Sequence, residues 1–146
     1  MQEISRLLLT KVALKAKDLS VQKWQDIIDN DGKHPTRLSP DLAVLNDVFN
    51  DSCPYCVLFH RCSCCPLFMK GLSCSLEGHP WTTWRKDKTT ANAQAVLDAI
   101  NKVHVKQMVV RFKINLEYNK PLDVVPLNEV SYKQITRFIE AFKIKE

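Results

Sequence analysis

All six cysteines of this 146-residue chain fall in one stretch, between Asp51 and Trp84. They are Cys53, Cys56, Cys62, Cys64, Cys65 and Cys74. Two residues separate Cys53 from Cys56, a spacing that lets a tight turn direct both thiolates at one metal ion. Cys62 and Cys65 repeat the spacing. Two such pairs supply four soft ligands, the tetrahedral set that structural zinc prefers, so the stretch predicts a zinc site.

The choice of ligands stays open because only five residues separate Cys56 from Cys62. Most zinc modules with two cysteine pairs place about a dozen or more between them. Two sets of four thiolates satisfy the count: Cys53, Cys56, Cys62 and Cys65, or Cys53, Cys56, Cys65 and Cys74. Cys64 is expected to point away from the ion because it adjoins Cys65. His60 and His79 could each replace a thiolate, although packed or surface roles are more typical of histidines beside aromatic and proline residues.

Two other uses of the cysteines compete with zinc. Cys65-Pro66 is similar to the Cys-Pro that ends a bacterial ferredoxin run, which keeps a 4Fe-4S cluster as the alternative cofactor, but the regular spacing of that run is absent. Disulfides would need an oxidising compartment. The amino terminus has only Leu7-Leu8-Leu9 before polar residues, too short for a signal peptide. We therefore expect a cytoplasmic protein. In the reducing cytoplasm, clustered cysteines more often bind metal than form disulfides.

The order of the cysteines also carries a resemblance. Two CxxC pairs, a proline after the second pair, a later cysteine, Pro80-Trp81 and Trp84 follow an upstream Lys23-Trp24. This order resembles a group of small uncharacterised cysteine-rich proteins encoded by bacteriophages, over the first two-thirds of the chain. Cys64 and the long insert before Cys53 depart from the pattern. The resemblance implies a phage or prophage origin and a life in the host cytoplasm, but no activity.

A formal charge of +5 is unevenly distributed along the chain. Residues 1–52 carry seven basic and eight acidic side chains, residues 53–90 five and two, and residues 91–146 nine and six.

The segment after the cysteines combines tryptophans, which could stack on bases, with cations, which could neutralise phosphates. Its candidate nucleic-acid-binding residues are Trp81, Trp84, Arg85, Lys86 and Lys88. The competing interpretation is that both indoles pack internally and the cations form a solvated edge. No apolar run approaches the roughly 20 residues of a membrane span.

Helices are predicted on both sides of the cysteine-rich stretch. An apolar face between Lys11 and Asp29 indicates one long helix, or two if Ser20 caps a second, ended by Asn30-Asp31-Gly32. Ser39 followed by Pro40 has the pattern of an N-cap and first helical residue. Thr90 is expected to cap a further helix with an inward stripe from Ala93 to Val103.

A β-hairpin is predicted in the last third. Apolar side chains occupy every second position from Met108 to Tyr118, which favours a strand with one buried face. Asn119-Lys120-Pro121 would turn the chain, Leu122 to Leu127 would return as an edge strand, and a helix would run from Asn128 to about Lys143. The exposed sheet edge could pair with a second copy in a homodimer.

These elements predict a single α+β domain over residues 1–146. Residues 1–50 form its helical part, residues 51–88 a cysteine-rich metal lobe, and residues 89–146 a helix–hairpin–helix unit.

Only three glycines are present, which excludes the closely spaced glycines of phosphate-binding loops. No catalytic constellation is recognisable, so the sequence favours binding over catalysis. The expected role is a phage-encoded, zinc-stabilised protein that engages a host macromolecule in regulation or anti-defence, with a host protein as partner and nucleic acid as the alternative.

Overall fold

The protein is helical throughout the part that its computed structural model describes, residues 3–59, 77–120 and 125–146. The helices there are α1 (Arg6–Asp29), α2 (Pro40–Phe49), α3 (Pro54–Phe59), α4 (Pro80–Lys86), α5 (Thr90–Asn101), α6 (Val105–Glu117) and α7 (Leu127–Ala141). These ranges contain no β-strand. The α+β prediction is therefore wrong.

Helix α1 is one continuous helix, so of the two interpretations of its apolar pattern the single long helix is correct. The Ser5 hydroxyl accepts a hydrogen bond from the Leu8 N–H at 3.1 Å and caps its start. At its end the Gly32 N–H donates to the Ile27 carbonyl at 2.9 Å, as the Asn30-Asp31-Gly32 pattern predicts. Ser20 lies buried inside the helix rather than capping a second one.

The helix start predicted from Ser39-Pro40 agrees with the structure, and the cap predicted at Thr90 is one residue too late. Ser39 is the N-cap of α2 and Pro40 its first residue. For α5 the cap is Thr89, whose hydroxyl accepts from the Asn92 N–H at 3.1 Å. Thr89 satisfies an amide that α5 itself leaves unpaired, whereas the Ser39 side chain makes no capping hydrogen bond and the start of α2 follows from Pro40 as its first residue.

Helix α6 replaces the predicted first strand. Its buried side chains, Met108, Val109, Phe112 and Asn115, follow helical spacing, and they leave Val110 and Ile114 about half exposed. Eleven residues with apolar side chains at every second position also contain the i, i+4 pairs of a helix, so the periodicity alone could not decide. The His104 N–H donates to the Gln107 side chain at 3.2 Å, one half of a capping box that starts α6.

The predicted return strand and the sheet-edge homodimer lose their basis with the first strand. Residues 122–124 of that strand lie outside the described part of the chain. Val125 and Pro126 form no strand, and Leu127 begins α7, which ends at Ala141 rather than near Lys143. The carboxy-terminal unit is thus a set of packed helices.

One hydrophobic core links the helices. Helix α1 packs most extensively on α5 and α6, α5 packs on α4, and α7 closes over α6 and α3. Phe59 of α3 stacks on Phe112 of α6 with ring centroids 4.7 Å apart. No helix in the three described ranges has both the length and the apolar character needed to span a membrane. The core therefore ties α3, which carries the first cysteine pair, to the carboxy-terminal helices.

Candidate metal centre

Helix α3 holds the first cysteine pair in a fixed position. Its residues Tyr55, Leu58 and Phe59 are at most 1% exposed. The Tyr55 ring stacks on Phe59 at 6.2 Å, and Phe59 stacks in turn on Phe112. Cys53 precedes the helix and Cys56 lies in its first turn, so the orientation of both side chains is determined by a helix that the core immobilises.

Neither Cys53 nor Cys56 is in a disulfide, and their side chains interact with each other. Cys53 is partly buried against the core, whereas Cys56 is exposed. The Asp51 carboxylate accepts a hydrogen bond from the Cys53 N–H at 2.9 Å, which holds the chain just before α3. The sulfurs are therefore presented at the edge of the core, with one side open to solvent.

The surroundings favour a thiolate at Cys53. A hydrogen bond donated by the Cys56 thiol is the largest influence; with the positive charge of Lys23 and the N–H groups of Cys56 and Tyr55, it lowers the pKa of Cys53 to about 7. Burial opposes this by raising the pKa. The thiolate is the form that binds metal, so the balance prepares this cysteine for ligation near neutral pH.

Lys23 is a charged residue of this site that the sequence did not single out for chemistry. Its ammonium donates to the Ser52 hydroxyl at 3.1 Å, beside Cys53, and lies 5.6 Å from the Trp24 ring centroid. Nothing in the spacing of the cysteines points to it, since 29 residues lie between Lys23 and Cys53. The contact between α1 and the start of α3 brings it there.

The described residues contain only half of either predicted ligand set. Cys62, Cys65 and Cys74, together with Cys64 and His60, fall outside the described ranges. Within those ranges no three His, Cys, Asp or Glu residues cluster as a metal site would require. His79 is partly buried before α4, and its Nδ1 has no hydrogen-bond partner there. The donor chemistry of Cys53 and Cys56 fits zinc, which readily accepts thiolates.

The candidate nucleic-acid residues lie together, but the tryptophan rings are covered. Trp81 is 8% exposed and Trp84 4% exposed. The Trp84 indole N–H donates to the Gly32 carbonyl at 2.7 Å, and its ring meets Trp24 edge-on at 4.8 Å. All three tryptophans of the chain thus join α1 to α4. Stacking on a base would require these rings to leave the core.

The cations of that group remain at the surface. Arg85, Lys86 and Lys88 are exposed, Lys86 is paired with Glu77, and the Lys88 ammonium lies 5.4 Å from the Trp84 ring centroid. His34 contacts the same ring edge-on at 5.1 Å. Partial burial and the charges of Lys23 and Lys88 lower the pKa of His34. The positive charges of Lys23 and Lys88 therefore both act on His34.

Comparison of the chain with protein-family models, with curated proteins and with solved structures gave no match. The functional argument consequently rests on the residues and their geometry.

Proposed function

We propose that this is a phage-encoded helical binding protein in which the cysteine-rich segment binds structural zinc and the folded chain engages a host macromolecule, in regulation or anti-defence. The observation that carries the proposal is the pair Cys53 and Cys56, two thiols that interact with each other, form no disulfide and lie at the start of a helix that stacks on the core. Two thiols held in one geometry lose less conformational freedom on binding zinc than mobile ones would, which strengthens binding.

Zinc is favoured over an iron–sulfur cluster by the repeated CxxC spacing and by the lack of a ferredoxin-like run. A set of four thiolates completes the tetrahedral coordination of zinc and leaves no position for a reacting water. Such a site stabilises a fold rather than catalysing a reaction. A role in binding a partner follows from that chemistry, and a host partner from the resemblance to phage proteins.

Metal content tests the first part of the proposal. We expect protein purified without air to be colourless and to hold one zinc per chain by plasma mass spectrometry. Replacing Cys53 and Cys56 by Ser should abolish both zinc binding and the cooperative melting transition, because the remaining cysteines cannot complete a tetrahedral site. Cys64→Ser is the matched control, since Cys64 is in neither ligand set, and it should retain the metal.

Two results would contradict this part. Iron with matching sulfide and a brown colour would assign the cysteines to a cluster. A sharp melting transition in the Cys53→Ser, Cys56→Ser variant would show that no metal is needed for folding.

Partner capture tests the second part. Immobilised zinc-loaded protein should retain a specific component of a bacterial host extract, and chelated protein should retain less of it. Retention of nothing beyond what an unrelated helical protein retains would contradict the proposed binding role.

Nucleic acid is the second candidate, favoured by one observation: the combined field of Lys23 and Lys88 at His34. A phosphate-driven complex must weaken steeply as salt rises. Salt-sensitive retention on DNA or RNA that is lost in a Lys86→Glu, Lys88→Glu variant would support it. Absence of retention at low salt would remove it.

A further inference from the structure

Cys53 and Cys56 place two sulfur atoms in contact with each other. Their side chains are joined by a hydrogen bond, and neither is in a disulfide. The Val57 N–H donates to the Cys53 carbonyl at 3.3 Å, which closes the backbone between the two cysteines into one helical turn. Residues three apart in such a turn have Cα atoms about 5 Å apart, within the range that a disulfide spans. A bond between the sulfurs therefore needs side-chain rotation but no movement of the backbone.

The backbone around the pair is held by contacts on both sides. The Asp51 carboxylate accepts a hydrogen bond from the Cys53 N–H at 2.9 Å, and Tyr55, between the two cysteines, is 1% exposed. Phe59 anchors the other end of α3 through its stacking on Phe112. The fold thus keeps the two sulfurs close together. Groups held in this way react with each other far more readily than with the same group free in solution.

The two sulfurs differ in their access to solvent. Cys56 is exposed, whereas Cys53 is partly buried against the core. A reagent in solution therefore reaches Cys56 first, and Cys53 is the thiol next to it. Thiol–disulfide exchange in two steps needs this arrangement, because an accessible thiol forms a mixed disulfide and a neighbouring thiol resolves it.

We propose that Cys53 and Cys56 are a redox-sensitive pair that closes into a reversible disulfide, with a small-molecule disulfide such as oxidised glutathione as the oxidant. The Cys56 thiolate attacks one sulfur of the oxidant, so that a bond to Cys56 forms and a first thiolate leaves. The Cys53 thiolate then attacks the Cys56 sulfur and expels the second thiolate. Each leaving thiolate takes up a proton that a cysteine has released. The pair loses two electrons and two protons, and the oxidant becomes two thiols.

The disulfide and a metal ion exclude each other at this pair, because metal ligation needs both sulfurs as thiolates. Closing the pair removes two of the four thiolates from either predicted ligand set. Formation of the disulfide depends only on the geometry of the pair, whereas its effect on zinc rests on the proposed function. In a reducing compartment the disulfide forms only when oxidised thiols accumulate, so metal binding would respond to the redox state.

The sequence allows the pair to be isolated for mass spectrometry. Trypsin cuts after Arg37 and Arg61, and the peptide 38–61 between these sites contains Cys53 and Cys56 and no other cysteine, lysine or internal arginine. The protein as purified is exposed to oxidised glutathione at neutral pH, free thiols are blocked, and the protein is digested. In peptide 38–61 a closed pair carries no blocking group, a reduced pair carries two, and a mixed disulfide carries glutathione. A chelating dye follows zinc release in the same samples.

We expect peptide 38–61 to be recovered mainly with the pair closed, and one zinc to be released for each disulfide formed. The ratio of closed to mixed disulfide should be at least about tenfold higher in the folded protein than in the same protein in urea, because only the fold holds Cys53 against Cys56. Dithiothreitol followed by zinc should restore both the reduced peptide and the bound metal.

Single variants separate the two steps of the exchange. Cys53→Ser should accumulate the mixed disulfide at Cys56, since the thiol that resolves it is gone, and Cys56→Ser should react more slowly because the exposed thiol is gone. Cys64→Ser is the matched control, since Cys64 is in neither predicted ligand set, and it should close the pair and release zinc as the wild type does. If either of the first two variants does not fold, the peptide map of the wild type decides the question.

Equal ratios of closed to mixed disulfide in the folded and the urea-unfolded protein would overturn the inference. Zinc release while peptide 38–61 stays reduced would also overturn it and would leave the proposed function standing. A closed pair in a protein that keeps its zinc would contradict the link to the metal and exclude both cysteines from the ligand set. A closed pair in a protein that holds no zinc as purified would support the exchange chemistry while the proposed function fails.

Discussion

At the residue scale, Lys23 is the side chain through which α1 influences the electrostatics of two separate groups. Its charge lowers the pKa of Cys53 and of His34, and its ammonium is held by the Ser52 hydroxyl at 3.1 Å. A charge acts over several ångströms without direct contact, so one lysine can affect both groups. Replacing Lys23 should therefore change the pKa of His34, which can be measured independently of the cysteines.

We expect Lys23→Gln to raise the pKa of His34, measured from the pH dependence of its imidazole NMR signal. The rise should stop short of the usual value of 6.5, because burial, the largest cause of the lowering, and Lys88 remain. Lys102→Gln, which alters a lysine that is not among the causes, is the control and should leave the titration unchanged. An unchanged titration in Lys23→Gln would show that the lysine does not act on this histidine.

The same shift makes stability depend on pH. The folded protein binds a proton at His34 less readily than the unfolded chain does. The contribution of neutral His34 to the free energy of unfolding is therefore complete above about pH 6.5 and is lost as pH falls toward the lowered pKa. A His34→Gln variant should therefore lose less melting temperature than the wild type between pH 7.5 and pH 5. An equal loss in both proteins would contradict the assignment.

At the scale of elements, the turn after α1 decides how α1, α4 and α5 meet. Gly32 has a φ of +84°, and an added Cβ would lie 2.3 Å from the carbonyl carbon of Thr89. The Gly32 carbonyl also accepts the Trp84 indole N–H. The missing side chain at this glycine thus permits close backbone contact with the start of α5, next to the tryptophans.

Gly32→Ala should consequently destabilise the protein by roughly 3 kcal/mol or more, since it combines a strained φ with a backbone clash. Gly78→Ala is the matched control: its φ is +78°, but nothing lies within 4 Å of the added Cβ. It should cost only about 1–2 kcal/mol of conformational strain. Urea denaturation measures both. Equal losses would mean that the contact with Thr89 can relax.

At the scale of the whole molecule, zinc and folding should be linked. If the metal binds only the folded chain, the free energy of unfolding rises with free zinc, by about 2.7 kcal/mol at one hundred times the dissociation constant. The melting temperature should therefore increase with zinc in buffered solutions, and magnesium at equal concentration should not reproduce the effect, because it prefers oxygen ligands. A melting temperature independent of zinc would contradict a structural role.

The sequence by itself determined the features that depend on a few neighbouring residues. The start of α2, the start of α5 to within one residue and the end of α1 followed from Ser, Thr, Pro and Gly chemistry, because helix ends depend on the conformational preferences of neighbouring residues. The spacing of Cys53 and Cys56 likewise identified a thiol pair before its position was known. The zinc site, the phage origin and the host partner remain predictions, and three of the five candidate ligands lie outside the described residues.

Only the tertiary structure decided what depends on contacts between distant segments. Residues 108–118 fit both a strand and a helix, and packing against α1 and α7 selected the helix, because it buries Met108 and Phe112 together. The indole of Trp84 became a core residue rather than a stacking platform through its contact with Trp24, 60 positions earlier. Of the alternating apolar side chains that made α6 resemble a strand, the helix buries Met108 and Phe112 and leaves Val110 and Ile114 about half exposed. The periodicity of the sequence shows which positions are apolar, but which of them are buried depends on the helices that pack against them.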